Sequence, residues 1–199
     1  MASSEVTICN MALGRVAISR YIASLDERSQ QASNCKLFYE PCRDLVLTDY
    51  DWNFATKRQQ LSNLGNPPKN WAFKYAVPSD CLKARHLTVV GMREPDAKHR
   101  IEFELSVEGE AKVLYTDQSL AELVYTRRVT DPNLFSPQFA SAVAWKLAGE
   151  IALPLSALAS LAKTAVQMYQ YEIAIAGTTS MNEGQEGQEP ESEFIRGRG

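Results

Sequence analysis

The stretch Ile101-Glu102-Phe103-Glu104-Leu105-Ser106-Val107-Glu108 alternates apolar and polar side chains over its whole length. Successive side chains of an extended chain point to opposite faces, so this order predicts a strand with Ile101, Phe103, Leu105 and Val107 on one face and three carboxylates on the other. Gly109 and Glu110 supply a turn, 111–115 a second strand, and 120–129 a further β-rich run after Asp117. Upstream, 82–90 and 71–77 read as strands, the latter ended by Pro78, and 63–70, with Gly65, Pro67 and Pro68, reads as a loop. The centre, 55–130, is therefore expected to be mostly β, with an antiparallel meander as its simplest topology.

Helical spacing takes over on both sides. Near the start, Ser4 can cap a helix in which Val6, Ile8, Cys9, Ala12 and Leu13 share a face, with Gly14 as a natural stop. From 29 to 49, Ala32, Cys35, Leu37, Phe38, Cys42, Leu45 and Val46 recur at helical spacing, and Pro41, which lacks a backbone donor, predicts a kink or a break into two helices. After the β centre, Asp131-Pro132 and Ser136-Pro137 pair a capping side chain with a proline suited to the first helical position. Two helices split at Pro154 are expected there. From 132 to 177 only Lys146, Glu150, Lys163 and Glu172 are charged, so both helices are expected to be covered on more than one side, within the subunit or between subunits.

The chain has 199 residues and a formal charge of -3, the balance of an ordinary globular protein and not of a strongly basic nucleic-acid binder. The charge is unevenly placed. Residues 51–100 carry nine basic and four acidic side chains, a net +5, whereas 1–177 as a whole are neutral and the last 22 residues hold the entire excess. Those residues, TTSMNEGQEGQEPESEFIRGRG, have almost nothing apolar before Phe194 and Ile195, and are expected to form a flexible tail. Its end can order on a partner by burying Phe194 and Ile195 while Arg196 and Arg198 meet carboxylates. Cys9, Cys35, Cys42 and Cys81 make no dense framework and no basic-then-apolar leader opens the chain, so reduced thiols in a cytosolic setting are expected. The uncharged run 151–162 is broken by Pro154 and falls well short of the roughly 20 residues that cross a bilayer, so no membrane span is expected.

Candidate chemistry is sparse. Closely spaced thiolates and imidazoles for zinc are missing, since Cys35 and Cys42 stand seven apart and only His86 and His99 supply imidazoles. Cys81 and His86, five apart on a strand, fall on opposite faces. Neither G-x-x-x-x-G-K-[ST] nor G-x-G-x-x-G occurs. Two alternatives stay open: a pair among the carboxylates working as a cell-wall glycosidase, and a DNA-binding surface on 51–100, where Trp52, Phe54, Trp71, Phe73 and Tyr75 accompany the cations. The alternation of Trp71, Phe73 and Tyr75 equally suits a core-facing strand.

Several strings taken in order carry a resemblance. They are Asn10-Met11-Ala12-Leu13-Gly14, Ile22-Ala23-Ser24-Leu25-Asp26-Glu27 with Ser29 and Ala32, and Trp52-Asn53-Phe54-Ala55. Tyr75-Ala76-Val77-Pro78-Ser79-Asp80-Cys81-Leu82 and Val129-Thr130-Asp131-Pro132 with Phe135, Pro137 and Phe139 follow. In this order and spacing the chain, over about 5–177, resembles the tail tubular protein A family, the head-tail adaptors of short-tailed bacteriophages and prophages. The resemblance implies an α+β fold, in which N- and C-terminal segments (1–54 and 131–177) form a helical bundle, 55–130 a β-rich insertion, and 178–199 a flexible tail. It further implies a virion structural protein without catalytic residues or cofactors, forming a dodecameric ring between portal protein and tail nozzle protein and extending the channel for double-stranded DNA. The tail, with Phe194, Ile195, Arg196 and Arg198, is then the candidate portal-docking segment. Glu102, Glu104 and Glu108 are the candidate acidic residues facing the channel or its rim, where carboxylates let phosphates slide without holding them.

Overall fold

The computed structural model describes residues 4–91, 100–156 and 158–183, the last six of these as helix backbone only. It is a mixed α+β structure with four helices and two small antiparallel sheets, α1 (Glu5–Arg15), α2 (Gln30–Asp49), α3 (Pro137–Ser156) and α4 (Ala159–Glu183) flanking six strands. The strands are β1 (Thr56–Gln60), β2 (Phe73–Ala76), β3 (Cys81–Val89), β4 (Glu104–Glu108), β5 (Ala111–Thr116) and β6 (Ala121–Arg127).

Helix starts follow the local chemistry. The hydroxyls of Ser4, Ser29 and Ser136 accept from the backbone N–H of Thr7, Ala32 and Phe139 at 3.0, 3.1 and 3.2 Å, each satisfying a donor that the first turn leaves open. Stops depart from expectation. Gly14 lies inside α1, and the left-handed residue is Ala17, at φ +60°, after the helix. Gly14 instead packs beside Tyr21, whose hydroxyl would lie 3.4 Å from a Cβ at that position. Pro41 does not divide α2, which is one continuous helix. Leu37, whose carbonyl loses its intrahelical donor, and Pro41 itself both lie on the exposed side, where water can serve that carbonyl. Pro154 likewise sits within α3, and the break falls after Ser156.

The strands form two sheets of order β1-β6-β3 and β2-β5-β4, and this corrects the meander. β4 and β5 are a true hairpin, Glu108 facing Ala111 across a two-residue turn with Gly109 at φ +61°. The next connection crosses from one sheet to the other through Leu120, at φ +51°. Tyr75 and Leu114 of one sheet meet Leu87, Leu123 and Tyr125 of the other in a small apolar core. β1, whose sequence TKRQQ has no apolar alternation, is an edge strand held by backbone pairing with β6.

A second and larger core belongs to the helices. α3 is its hub, burying Phe139, Val143, Leu147 and Ile151 against α1, α2 and α4. The expectation of cover on more than one side holds for α3 and fails for α4, which turns Ser160, Lys163, Thr164, Gln167, Gln170 and Tyr171 to solvent and, among its described side chains, buries only Ala165 and Ala176. Apart from Lys163, the exposed side chains of α4 between Ala159 and Gly177 are uncharged. α4 also runs to Glu183, continuing past Gly177 and six residues beyond the expected start of the tail. Residues 184–199, and with them Phe194, Ile195, Arg196 and Arg198, lie outside the described residues.

Candidate functional site

The acidic row on β4 is partly real. Glu104 and Glu108 are exposed on the face away from the sheet core, while Glu102 precedes the ladder and its backbone carbonyl accepts from the Thr116 hydroxyl at 2.7 Å. The carboxylates are not bare. Glu108 accepts from the Tyr115 hydroxyl at 2.6 Å and from Lys74 at 3.0 Å, and these donors hold its carboxyl below its ordinary range while the Tyr115 hydroxyl is pushed up. Glu104 accepts from the Trp71 indole at 3.2 Å. Two residues spaced like Glu104 and Glu108 stand about 13 Å apart along a strand, beyond the roughly 5–9.5 Å that a glycosidase pair requires.

A hollow of about 360 Å³ beside α1 and α2 gathers Glu5, Asp26, Lys36, Tyr39 and Glu40. Asp26 is tied to Lys36 at 2.7 Å in full exposure, and this partner keeps it ionised. The Tyr39 hydroxyl is buried without a hydrogen-bond partner among the described residues, and burial pushes it upward. A general acid at neutral pH needs a carboxyl raised by its surroundings. The displaced carboxyls here, Asp26, Glu27, Asp80 and Glu108, all move down. At Asp80 burial pushes upward, and hydrogen bonds from Lys57 and Tyr125 outweigh it.

The basic segment is largely consumed internally. Lys57 pairs with Asp80 at 2.9 Å, Arg58 with Glu122 at 3.8 Å, Lys74 with Glu108 at 3.0 Å, and Lys83 and Arg85 both with Asp51 at 3.1 and 3.2 Å. A phosphate would have to displace each carboxylate. The aromatics are equally committed: Tyr75 is buried with Phe73 stacked on it at 6.1 Å, and Trp52 and Phe54 pack with Phe139 in the helical core. Arg93 and Lys98 lie outside the described residues.

The four thiols are free and buried. Cys9 and Cys35 bring α1 and α2 together through a thiol hydrogen bond that raises Cys9, and burial pushes Cys42 up to about 12. Cys81 faces Arg127 and His86 faces Val124 across β6, three positions apart and so on opposite faces. That geometry leaves no Cys-His pair.

The strings that carry the resemblance turn out to be held together. Asn10 donates to the Ile22 carbonyl and accepts from its N–H, both at 2.9 Å. Glu27 accepts from the Ser29 hydroxyl at 2.7 Å and from the Ala23 N–H at 2.9 Å. Asp80 accepts from Tyr125 at 2.8 Å as well as from Lys57. One joint escaped the sequence reading. Arg15 lies 4.1 Å over the Trp145 ring and donates to Ser141, whose hydroxyl in turn reaches Glu172 at 2.7 Å, so a single cation ties α1 to α3 and α4. A lone arginine at the end of a helix gives no sequence signal of such a role.

Beside β4 lies a groove of about 180 Å³ lined by Val77, Leu82, Ala84, Leu105, Val107 and Lys112, among others. The apolar face of 101–107 is covered only at its start, where Ile101 bridges to Leu87. Further on Leu105 and Val107 remain 49% and 66% exposed, and no strand among the described residues pairs with the outer edge of β4.

No family model and no curated protein matches this chain.

Proposed function

We propose that this chain is a virion structural protein, a head-tail adaptor of the tail tubular protein A kind, with assembly and not catalysis as its activity. The observation that carries the reading is the ordered set of strings from Asn10 to Phe139. The layout is compatible with it: helices from both ends of the chain pack on α3, and the strands between them have a core of their own. On this reading the helices form the bundle of a dodecameric ring that extends the DNA channel, and the β-rich part is an insertion toward the tail nozzle protein. A closed ring joins one patch to a different patch on the neighbour. The charge-poor outer surface of α4, with Lys163 as its one exposed charge among the described side chains, suits such a contact, since it carries little charge to desolvate. Glu102, Glu104 and Glu108 face the channel or its rim, weakened as a negative field by Lys74, and the end of the tail reaches the portal protein.

The test is the mass of the purified protein alone and then mixed with a portal ring. A discrete complex with one ring of adaptor per portal is expected. Absence of binding, or peptidoglycan turnover abolished by a single Glu→Gln change, overturns the reading. Deletion of 184–199 with portal binding unaltered removes the tail from the docking role while leaving the ring intact.

A further inference from the structure

The groove beside β4 is an unfinished corner of the β structure. Across the ladder Leu105 faces Leu114, which is fully buried, so Leu105 and Val107 lie on the inward face and are exposed where no described residue covers them. The neighbouring edges differ. β3 has two irregularities, between Cys81 and Lys83 and between Ala84 and His86, which blunt it as a template, and the edge of β2 is met by Asn63 bridging to Tyr75. β4 pairs with β5 in unbroken register, and its other edge is free among the described residues.

We infer that this edge and groove receive residues 193–198 of the chain's own C-terminus, added beside β4 as a further strand. Chemistry and reach select this occupant. Within 184–199 the only large apolar side chains are Phe194 and Ile195, and in a strand Ile195 points one way while Phe194, Arg196 and Arg198 point the other. With Ile195 in the groove against Leu105 and Val107, the two arginines fall on the outer face, at the same two-residue spacing as Glu102 and Glu104. Gly177 of α4 packs beside Tyr50, and the adjacent Asp51 pairs with Lys83 of β3, which stands between the groove residues Leu82 and Ala84. From Gly184 to Ile195 the chain can span roughly 40 Å when extended, ample for a return to β3 and β4. The placement concerns the isolated chain and rests on neither the ring nor the portal.

Hydrogen exchange on the full-length protein tests it. The β4 amides that do not bond β5 are expected to exchange about tenfold or more slowly than a free edge allows. Ile195→Asp, and separately Arg196→Glu with Arg198→Glu, should each abolish that protection while leaving the exchange of α1 to α3 unchanged. Equal exchange at β4 in the parent and both variants overturns the proposal. Protection that disappears on dilution also overturns it, because the occupant is then a second copy. Failure of portal binding with protection intact sinks the adaptor reading and leaves this one standing.

Discussion

Asn10 makes both of its hydrogen bonds to one residue, and that residue, Ile22, is buried. Asn10→Ala strands the Ile22 N–H and carbonyl together, and each stranded group costs about 1–3 kcal/mol, so a loss of about 2–3 kcal/mol is expected from urea unfolding. A change below about 0.5 kcal/mol would show that water replaces the side chain there. Glu108 makes the second prediction, with a sign fixed by its partners. Its folded carboxyl is held below the ordinary 4.5 by Tyr115 and Lys74, so the stabilisation is fully present above 4.5 and is lost as pH falls through the lower folded value. The gap in unfolding midpoint between the parent and Glu108→Gln should therefore be constant at neutral pH and close in acid. A gap that persists unchanged through acid means that the carboxylate charge contributes nothing.

Among elements, α2 offers the sharpest test, since a proline in mid-helix costs about 3 kcal/mol relative to alanine and returns part of that through the unfolded state. Pro41→Ala should raise the melting temperature by about 4–8 °C, the equivalent of about 2 kcal/mol in a domain of this size; a fall would mean that the proline shapes the helix to fit α3. Features set by neighbours in the chain were legible in the sequence, as with the caps at Ser4 and Ser136 and the turn at Gly109. Features decided by distant partners were not. The continuity of α2 depends on Pro41 facing water, the exposure of Leu105 and Val107 on the lack of a further strand beside β4 among the described residues, and the crossing of the chain between sheets on Tyr75 and Leu114 meeting Leu123. The same division applies to the candidate site. The alternation at 101–108 placed the carboxylates on the outer face, and only the fold brings Lys74 and Tyr115 to Glu108 and Trp71 to Glu104.

For the whole molecule, the charge-poor outer surface of α4 separates stability from assembly. Tyr171 is 60% exposed, so Tyr171→Glu should leave unfolding within about 0.5 kcal/mol of the parent. On the adaptor reading it should nonetheless weaken ring formation on a portal, seen as a lower mass of the complex. Full assembly by this variant would remove α4 from the subunit interface. The Arg15 joint bears on the order in which the molecule comes into being. Its partner Ser141 lies 126 residues further along the chain, and α3, which covers both α1 and α2, begins only at Pro137. On a ribosome adding about 5–20 residues per second, α1 emerges roughly 6–25 s before its partner exists, with Ile8 and Leu13 uncovered meanwhile. The six strands are all synthesised within that interval. Biogenesis therefore has a built-in waiting period, during which the first helices of the nascent chain are the natural clients of a chaperone and the sheets can already have closed.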